Sequence, residues 1–293
     1  MGVSPTATKM SLVPLTAALG AEVFDLDLAA ELEATEKAGK PTPNLATIID
    51  AFPRYQVLVF RQQSIGREQH KQFGRLFGEL HVHPSKRHAS ATGDREIFIV
   101  AADAETSMNN GGLWHSDVSC DEVPPLASLL LLKEAPPTGG DTLFANMNLA
   151  YETLSPPIKK MLQGLRAVHD QRQDLKNYGF EPRAGHEYPQ SSHPIVAVHP
   201  LTGLPLLYVN PAFTTHIEGL SRLESRSLLD MLYQHVSGNP DIQCRVRWTE
   251  GTLTMWDNRA VQHYAVWDYR PAVRTGERVA VAGTVPPASW VAN

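Results

Sequence analysis

Ile242-Gln243-Cys244-Arg245-Val246-Arg247-Trp248 and Thr252-Leu253-Thr254-Met255-Trp256 begin a closing third built of short apolar runs, continued by Val261 to Val266 and Arg278 to Val285. Runs of this length, rich in β-branched and aromatic residues, read as strands. Many short strands with few helices between them point to a jelly roll or barrel rather than a doubly wound sheet. No Gly-x-Gly-x-x-Gly follows a strand, so a dinucleotide fold has no support. Immediately upstream, Ser221 to Val236 has the spacing of an amphipathic helix with Leu228, Leu229, Leu232 and Tyr233 inward. Pro194 to Val198 and Leu204 to Val209 flank Pro200-Leu201-Thr202-Gly203 as a hairpin.

Further outward the pattern becomes mixed. Residues 170–193 are polar, interrupted by Gly179, Pro182, Gly185 and Pro189, and an insertion of that length without periodicity predicts a lid. Asn148 to Leu165, split by Pro156-Pro157, predicts two short helices. Two strands are expected within Met10 to Leu28, and one each at Gln56–Phe60, Ile97–Ala101 and Leu126–Leu132. Ala29 to Asn44 reads as a solvated helix and a loop. A helix capped by Asn44 carries Ile48, Ile49 and Phe52 and ends at Pro53, and another runs from Arg67 to Phe77.

With 293 residues the chain can bury a large core, and a single catalytic domain is expected over 1–293, its core spanning residues 10–287. A net charge of -5 gives no electrostatic footprint for nucleic acid. Two cysteines, Cys120 and Cys244, exclude a disulfide framework and favour a reducing compartment. No apolar run approaches the roughly 20 residues of a membrane helix, and Met1 to Met10 lacks the layout of a signal peptide, so a cytoplasmic location is expected.

Chemistry concentrates in Gly112-Leu113-Trp114-His115-Ser116-Asp117-Val118-Ser119. On an extended strand His115 and Asp117 project from one face and can reach one point. A His-x-Asp triplet often arises by chance, and a lone histidine is more commonly a surface or hydrogen-bonded group. A third ligand would complete a 2-His-1-carboxylate triad, which leaves coordination positions open on Fe(II). His263, in Trp256-Asp257-Asn258-Arg259-Ala260-Val261-Gln262-His263-Tyr264, is the candidate. The loop Leu80-His81-Val82-His83-Pro84-Ser85-Lys86-Arg87-His88 reads as a solvated or anion-binding rim.

Taken together, Trp114-His115-Ser116-Asp117, Thr138-Gly139-Gly140-Asp141-Thr142, the Trp256 to His263 segment and the downstream arginines resemble the taurine dioxygenase family of Fe(II)/2-oxoglutarate-dependent oxygenases, which includes aryloxyalkanoate dioxygenases and alkylsulfatases. The resemblance runs from Leu12 to Thr284. It implies a mostly β chain with flanking helices folded as a double-stranded β-helix, with iron held by His115, Asp117 and His263. It further implies that Arg274 pairs with the distal carboxylate of 2-oxoglutarate, that Thr142 hydrogen-bonds the same group, and that dioxygen is the oxidant. An always-charged, forked guanidinium suits a carboxylate in a partly apolar pocket.

By the same resemblance His83 and Arg278 stand where an anionic substrate head group is held, and Asn110 lies close to the position of an amine contact. Phe213, Trp114 and Trp256 are candidate apolar walls. A small sulfonate or carboxylate is the implied substrate, with a larger natural-product scaffold as the alternative, and dimers or tetramers are common in the family. Two rivals remain: a non-catalytic binding domain on the same fold, and a cupin-like metalloenzyme using no 2-oxoglutarate.

Overall fold

In the computed structural model, which describes residues 9–84, 93–109 and 111–291, the first half contributes β1 (Ser11–Pro14), β2 (Ala21–Phe24), α1 (Leu28–Ala38), α2 (Pro43–Tyr55), β3 (Val57–Phe60), α3 (Arg67–Arg75), β4 (Phe98–Ala102), β5 (Ala127–Glu134) and β6 (Thr142–Asn146). There follow α4 (Met147–Glu152), α5 (Pro156–Leu162), β7 (Arg166–Asp170), α6 (Gln171–Asn177), β8 (Gln190–Pro194), β9 (Val196–Val198), β10 (Pro205–Leu207) and β11 (Thr214–Ile217). The last part holds α7 (Arg222–Ser237), β12 (Gln243–Val246), β13 (Leu253–Asp257), β14 (Val261–Ala265), β15 (Arg274–Val281) and β16 (Ala288–Ser289). Among the described residues the large sheet has the order β1-β2-β3-β13-β5-β15-β4, and a second sheet the order β12-β6-β14. Two further small sheets are β11-β7-β8 and β10-β9-β16.

The central strands are apolar on both faces, and the two-residue period sorts them. Val57, Val59, Leu130, Leu132 and Trp256 pack against Phe144, Cys244, Val246 and Val261 of the second sheet. Leu58, Phe60, Leu129, Leu131, Leu253, Met255, Val279 and Val281 turn the other way, onto Leu28 and Leu32 of α1, Ile48 and Phe52 of α2 and Phe73 of α3. Phe60, Phe73, Phe77 and Phe52 continue that layer as edge-to-face ring pairs at 5.5, 5.6 and 5.4 Å. Each fully buried side chain of this size contributes roughly 1.5–3 kcal/mol. The layer therefore fixes the large sheet, and the sandwich between the sheets holds the polar side chains described next.

Several expectations are corrected. Thr42, not Asn44, caps α2, its side chain accepting from Leu45 N, because Pro43 supplies the preset φ of a first helical residue. Pro53 sits inside that helix, which runs to Tyr55 and closes through Gln56 N on Phe52 O. Segment 170–193 is not structureless: α6 and β8 lie in it, β8 pairing with β7. Neither β6 nor β7 was expected, and β15 begins at Arg274 rather than Arg278. Nor is 112–119 a strand. Only His115 makes a ladder bridge, to His263, and the chain then turns with Val118 at φ 50°.

Candidate active site

Asn258 replaces the missing strand partner. Fully buried in the turn after β13, its Oδ1 accepts from Asp117 N at 2.6 Å, and its Nδ2 donates to Asp117 O at 2.9 Å and Pro125 O at 3.0 Å. His115 and His263 exchange backbone hydrogen bonds of 3.0 and 2.8 Å. These bonds bring the two histidines and Asp117 to one spot, where one donor atom from each lies within 4.8 Å of the others. His115 Nε2 and His263 Nε2 stand 3.8 and 4.0 Å from Asp117 Oδ1.

The protonation states suit a cation. His115 Nδ1 lies 2.7 Å from Leu113 O, so that nitrogen donates and Nε2 keeps its lone pair. Burial lowers both imidazoles below the ordinary histidine range, His263 the further. Burial by itself would raise the Asp117 carboxyl, but the Arg278 guanidinium and the neighbouring imidazoles hold it well below the usual carboxylate range. Ser128 Oγ donates to Asp117 Oδ2 at 2.6 Å, leaving Oδ1 turned toward the imidazoles. His263 Nδ1 is buried with no hydrogen-bond partner among the described residues. An anionic oxygen and two neutral imidazoles converging from one side are the donor set of a facial triad, and these three residues fit such a metal.

Arg278 reaches the same carboxylate. Its Nη1 contacts Asp117 Oδ1, and its guanidinium lies 4.9 Å over the Phe98 ring, itself 4.7 Å from the His83 ring. His81, His83, Phe98, Asp117, Val118 and Arg278 line one small cavity. Phe213 is buried with Leu113, Val118 and Ala212, beside that cavity rather than in it. Trp256 packs on the His263 ring at 4.8 Å, whereas Trp114 lies 5.9 Å from Tyr264, on the opposite face of β14, and joins another core cluster. Asn110, Lys86, Arg87 and His88 lie outside the described residues.

Arg274 opens a second region. It is 5% exposed, and no carboxylate among the described residues pairs with it within 4.0 Å. Burial lowers its pKa, opposed by the charges of Tyr269 and Asp141. Its Nε donates to Gly140 O at 3.1 Å, and the guanidinium lies 5.4 Å over the Trp248 ring. Trp248 Nε1 donates to Thr142 Oγ1 at 2.9 Å, so Thr142 and Arg274 meet through this indole. Arg274 lines a cavity with Val100, Asn109, Ala265 and Tyr269. A buried cation without an internal counter-ion suits an incoming carboxylate.

Tyr178 had no marker in the sequence beyond its own letter. Tyr178, just after α6, accepts from Gly111 N at 2.8 Å, and a Cβ on Gly111 would stand 3.5 Å from His115 Cε1. One helical turn earlier, burial and then the charge of Asp117 push the Asp174 carboxyl up to about 7. Asp257, within the quoted motif, is structural. Arg259 bonds both its oxygens and His199 Nε2 lies at 3.1 Å.

The sandwich, antiparallel but for the β2–β3 pair, with its three donors inside defines a double-stranded β-helix, the jelly roll of metal-dependent oxygenases. Within that class the chain belongs to the family described as taurine catabolism dioxygenase TauD, TfdA family, whose model matches residues 11–280. An alpha-ketoglutarate-dependent sulfonate dioxygenase of Saccharomyces cerevisiae is 33% identical over 276 residues, covering 90% of this chain and 65% of that one. An alpha-ketoglutarate-dependent sulfate ester dioxygenase of Pseudomonas putida is 31% identical over 297 residues, covering 98% and 94%. The solved structure of a taurine dioxygenase from Burkholderia xenovorans matches with a TM-score of 0.77 at 33% identity, covering 97% of each chain. The chain spans 61 to 65% of the length of four of its curated relatives, the yeast protein among them.

Proposed function

We propose that the protein is an Fe(II)- and 2-oxoglutarate-dependent dioxygenase that hydroxylates a C–H bond of a small organic substrate carrying a sulfonate, sulfate or carboxylate. The convergence of His115, Asp117 and His263 carries this reading, and the activities of the yeast and Pseudomonas relatives support it. When bound, the iron and the 2-oxo acid supply the oxidising chemistry, in which dioxygen is consumed and 2-oxoglutarate leaves as succinate and carbon dioxide.

The chain's own residues hold and orient. His115, Asp117 and His263 bind the metal through two neutral imidazoles and one carboxylate. Arg274 forks onto the distal carboxylate of 2-oxoglutarate above Trp248, with the Thr142 hydroxyl beside it. Arg278 and His83 take the anionic head group of the substrate, with Phe213 alongside. The 170–193 lid, fastened through Tyr178, excludes water, and Trp256 walls the imidazole of His263. We further propose a single catalytic domain that works in the cytoplasm as a homo-oligomer, a dimer or tetramer, with no nucleic-acid partner. Both thiols are free and buried, and among the described residues no helix is long and apolar enough to cross a membrane.

Anaerobic addition of Fe(II) and 2-oxoglutarate tests the reading. A visible charge-transfer band is expected from the wild-type chelate and none from Asp117→Ala. Absence of the band in the wild type, or its persistence in the variant, would refute the assignment. Succinate release screened over sulfonates, sulfate esters and aryloxy acids then identifies the substrate.

A further inference from the structure

The direction of the Arg274 fork is set by a turn, and the turn by a residue outside every motif quoted above. Guanidinium N–H groups form a rigid plane. With Nε on Gly140 O and one face over Trp248, the terminal nitrogens are the part left for a ligand in the adjoining cavity. The aim of that edge depends on where the Gly140 carbonyl points.

Gly139 and Gly140 have φ of 77° and 69°, a left-handed pair that only glycine adopts without strain. Asp268, in the loop between β14 and β15, closes the pair: its Oδ1 accepts from Gly140 N at 2.8 Å. The fit leaves no slack. A Cβ on Gly139 would stand 2.4 Å from that oxygen, and one on Gly140 3.1 Å from Tyr269 Cδ1 and 3.2 Å from Arg274 Cδ. Asp268 Oδ2 is 3.8 Å from Arg245 Nη2, and Arg245 Nε is 2.5 Å from Asp141 Oδ2, so the outer edge of the turn is tied as well. A 49% exposed carboxylate would ordinarily turn to water; this one points inward to a backbone N–H.

We infer that Asp268 is a positioning residue for the cosubstrate: by clamping Gly140 N it fixes the carbonyl that orients Arg274 toward the distal carboxylate of the 2-oxo acid. The inference rests on the role proposed for Arg274. Asp268→Ala removes the acceptor, and Asp268→Asn keeps an oxygen that accepts while removing the charge. Asp268→Ser, whose shorter side chain cannot span to Gly140 N, replaces the alanine variant if that one does not fold.

Anaerobic titration of the Fe(II) chelate band with 2-oxoglutarate reads the dissociation constant, and steady-state kinetics separate KM from kcat. Asp268→Ala is expected to raise both Kd and KM for 2-oxoglutarate about 5- to 10-fold, the value of one lost hydrogen bond. Its kcat at saturating cosubstrate and its Mn(II) affinity should stay at wild-type values, with Asp268→Asn within about 2-fold of wild type throughout. A folded Asp268→Ala or Asp268→Ser protein that titrates like the wild type, or that loses only thermal stability, overturns the inference. Equal damage to Mn(II) affinity overturns it too. Absence of any band in the wild type instead defeats the reading of Arg274, which keeps the two failures apart.

Discussion

Asp117 sits under three demands at the residue scale, because Ser128, Arg278 and two imidazoles all address its two oxygens. Arg278→Ala therefore leaves the carboxylate to the imidazoles and Ser128. The expected result is an intact 2-oxoglutarate chelate with loss of substrate-stimulated succinate release, and unchanged stimulation would show that the substrate is held elsewhere. Arg274 has a simpler task. Its replacement by alanine should raise the 2-oxoglutarate requirement roughly 30- to 100-fold, the scale of a charge-assisted bidentate contact, and lysine should not restore it. Cosubstrate titration of the chelate band measures both variants. The three converging residues were legible because each carries a chemically distinctive side chain within a recognisable spacing. Trp248 was not, since a tryptophan that donates to Thr142 and underlies Arg274 has the same letters around it as a core tryptophan. Asp268 was hidden for the same reason, its partner being a backbone N–H.

Between elements, the contacts that matter are made by side chains standing in for ladder bonds. Asn258→Ala strands Asp117 N and two carbonyls in a buried interior, which should cost about 2–4 kcal/mol of stability by urea unfolding. A shift below about 0.5 kcal/mol would mean that water replaces the amide. Tyr178→Phe removes the acceptor for Gly111 N, so limited proteolysis within residues 179–189 should quicken while Mn(II) affinity holds. Equal cleavage rates would show that α6 is fastened by something else. Strands β3, β5 and β13 are readable as short apolar runs and helix α7 from its periodicity, and in the structure a Ser221-to-Glu224 capping box closes the start of α7. By contrast, β6 follows a Gly-Gly turn, β7 buries the polar His169 and Asp170 among its few residues, and α6 buries no residue at all. The pattern of apolar residues therefore gave no signal there, and pairing decides their state.

Across the whole molecule, two buried histidines outside the site contribute to the loss of stability in acid. His70, with Nε2 3.1 Å from Leu129 O, and His169, with Nδ1 3.0 Å from Ser119 Oγ, are pushed by burial down to about 4 and about 3. The unfolded chain takes up protons near the ordinary value of about 6.5, where the folded chain does not. Their contribution is thus complete above that pH and is lost as pH falls toward 4 and 3, at about 1.4 kcal/mol per pH unit for each histidine. Urea midpoints at pH 7.5 and 5.5 should drop accordingly and flatten in the His70→Gln, His169→Gln double variant; a midpoint that does not move contradicts the sign. The mutual backbone bonds of His115 and His263 have a different consequence. Because the two histidines are stitched to each other, the length of chain that separates them is immaterial: extra residues spliced in at Ala184 should leave Mn(II) affinity as it was. A single residue added between Ala260 and Val261 should instead put Gln262 in the place of His263 at the inner face and abolish it.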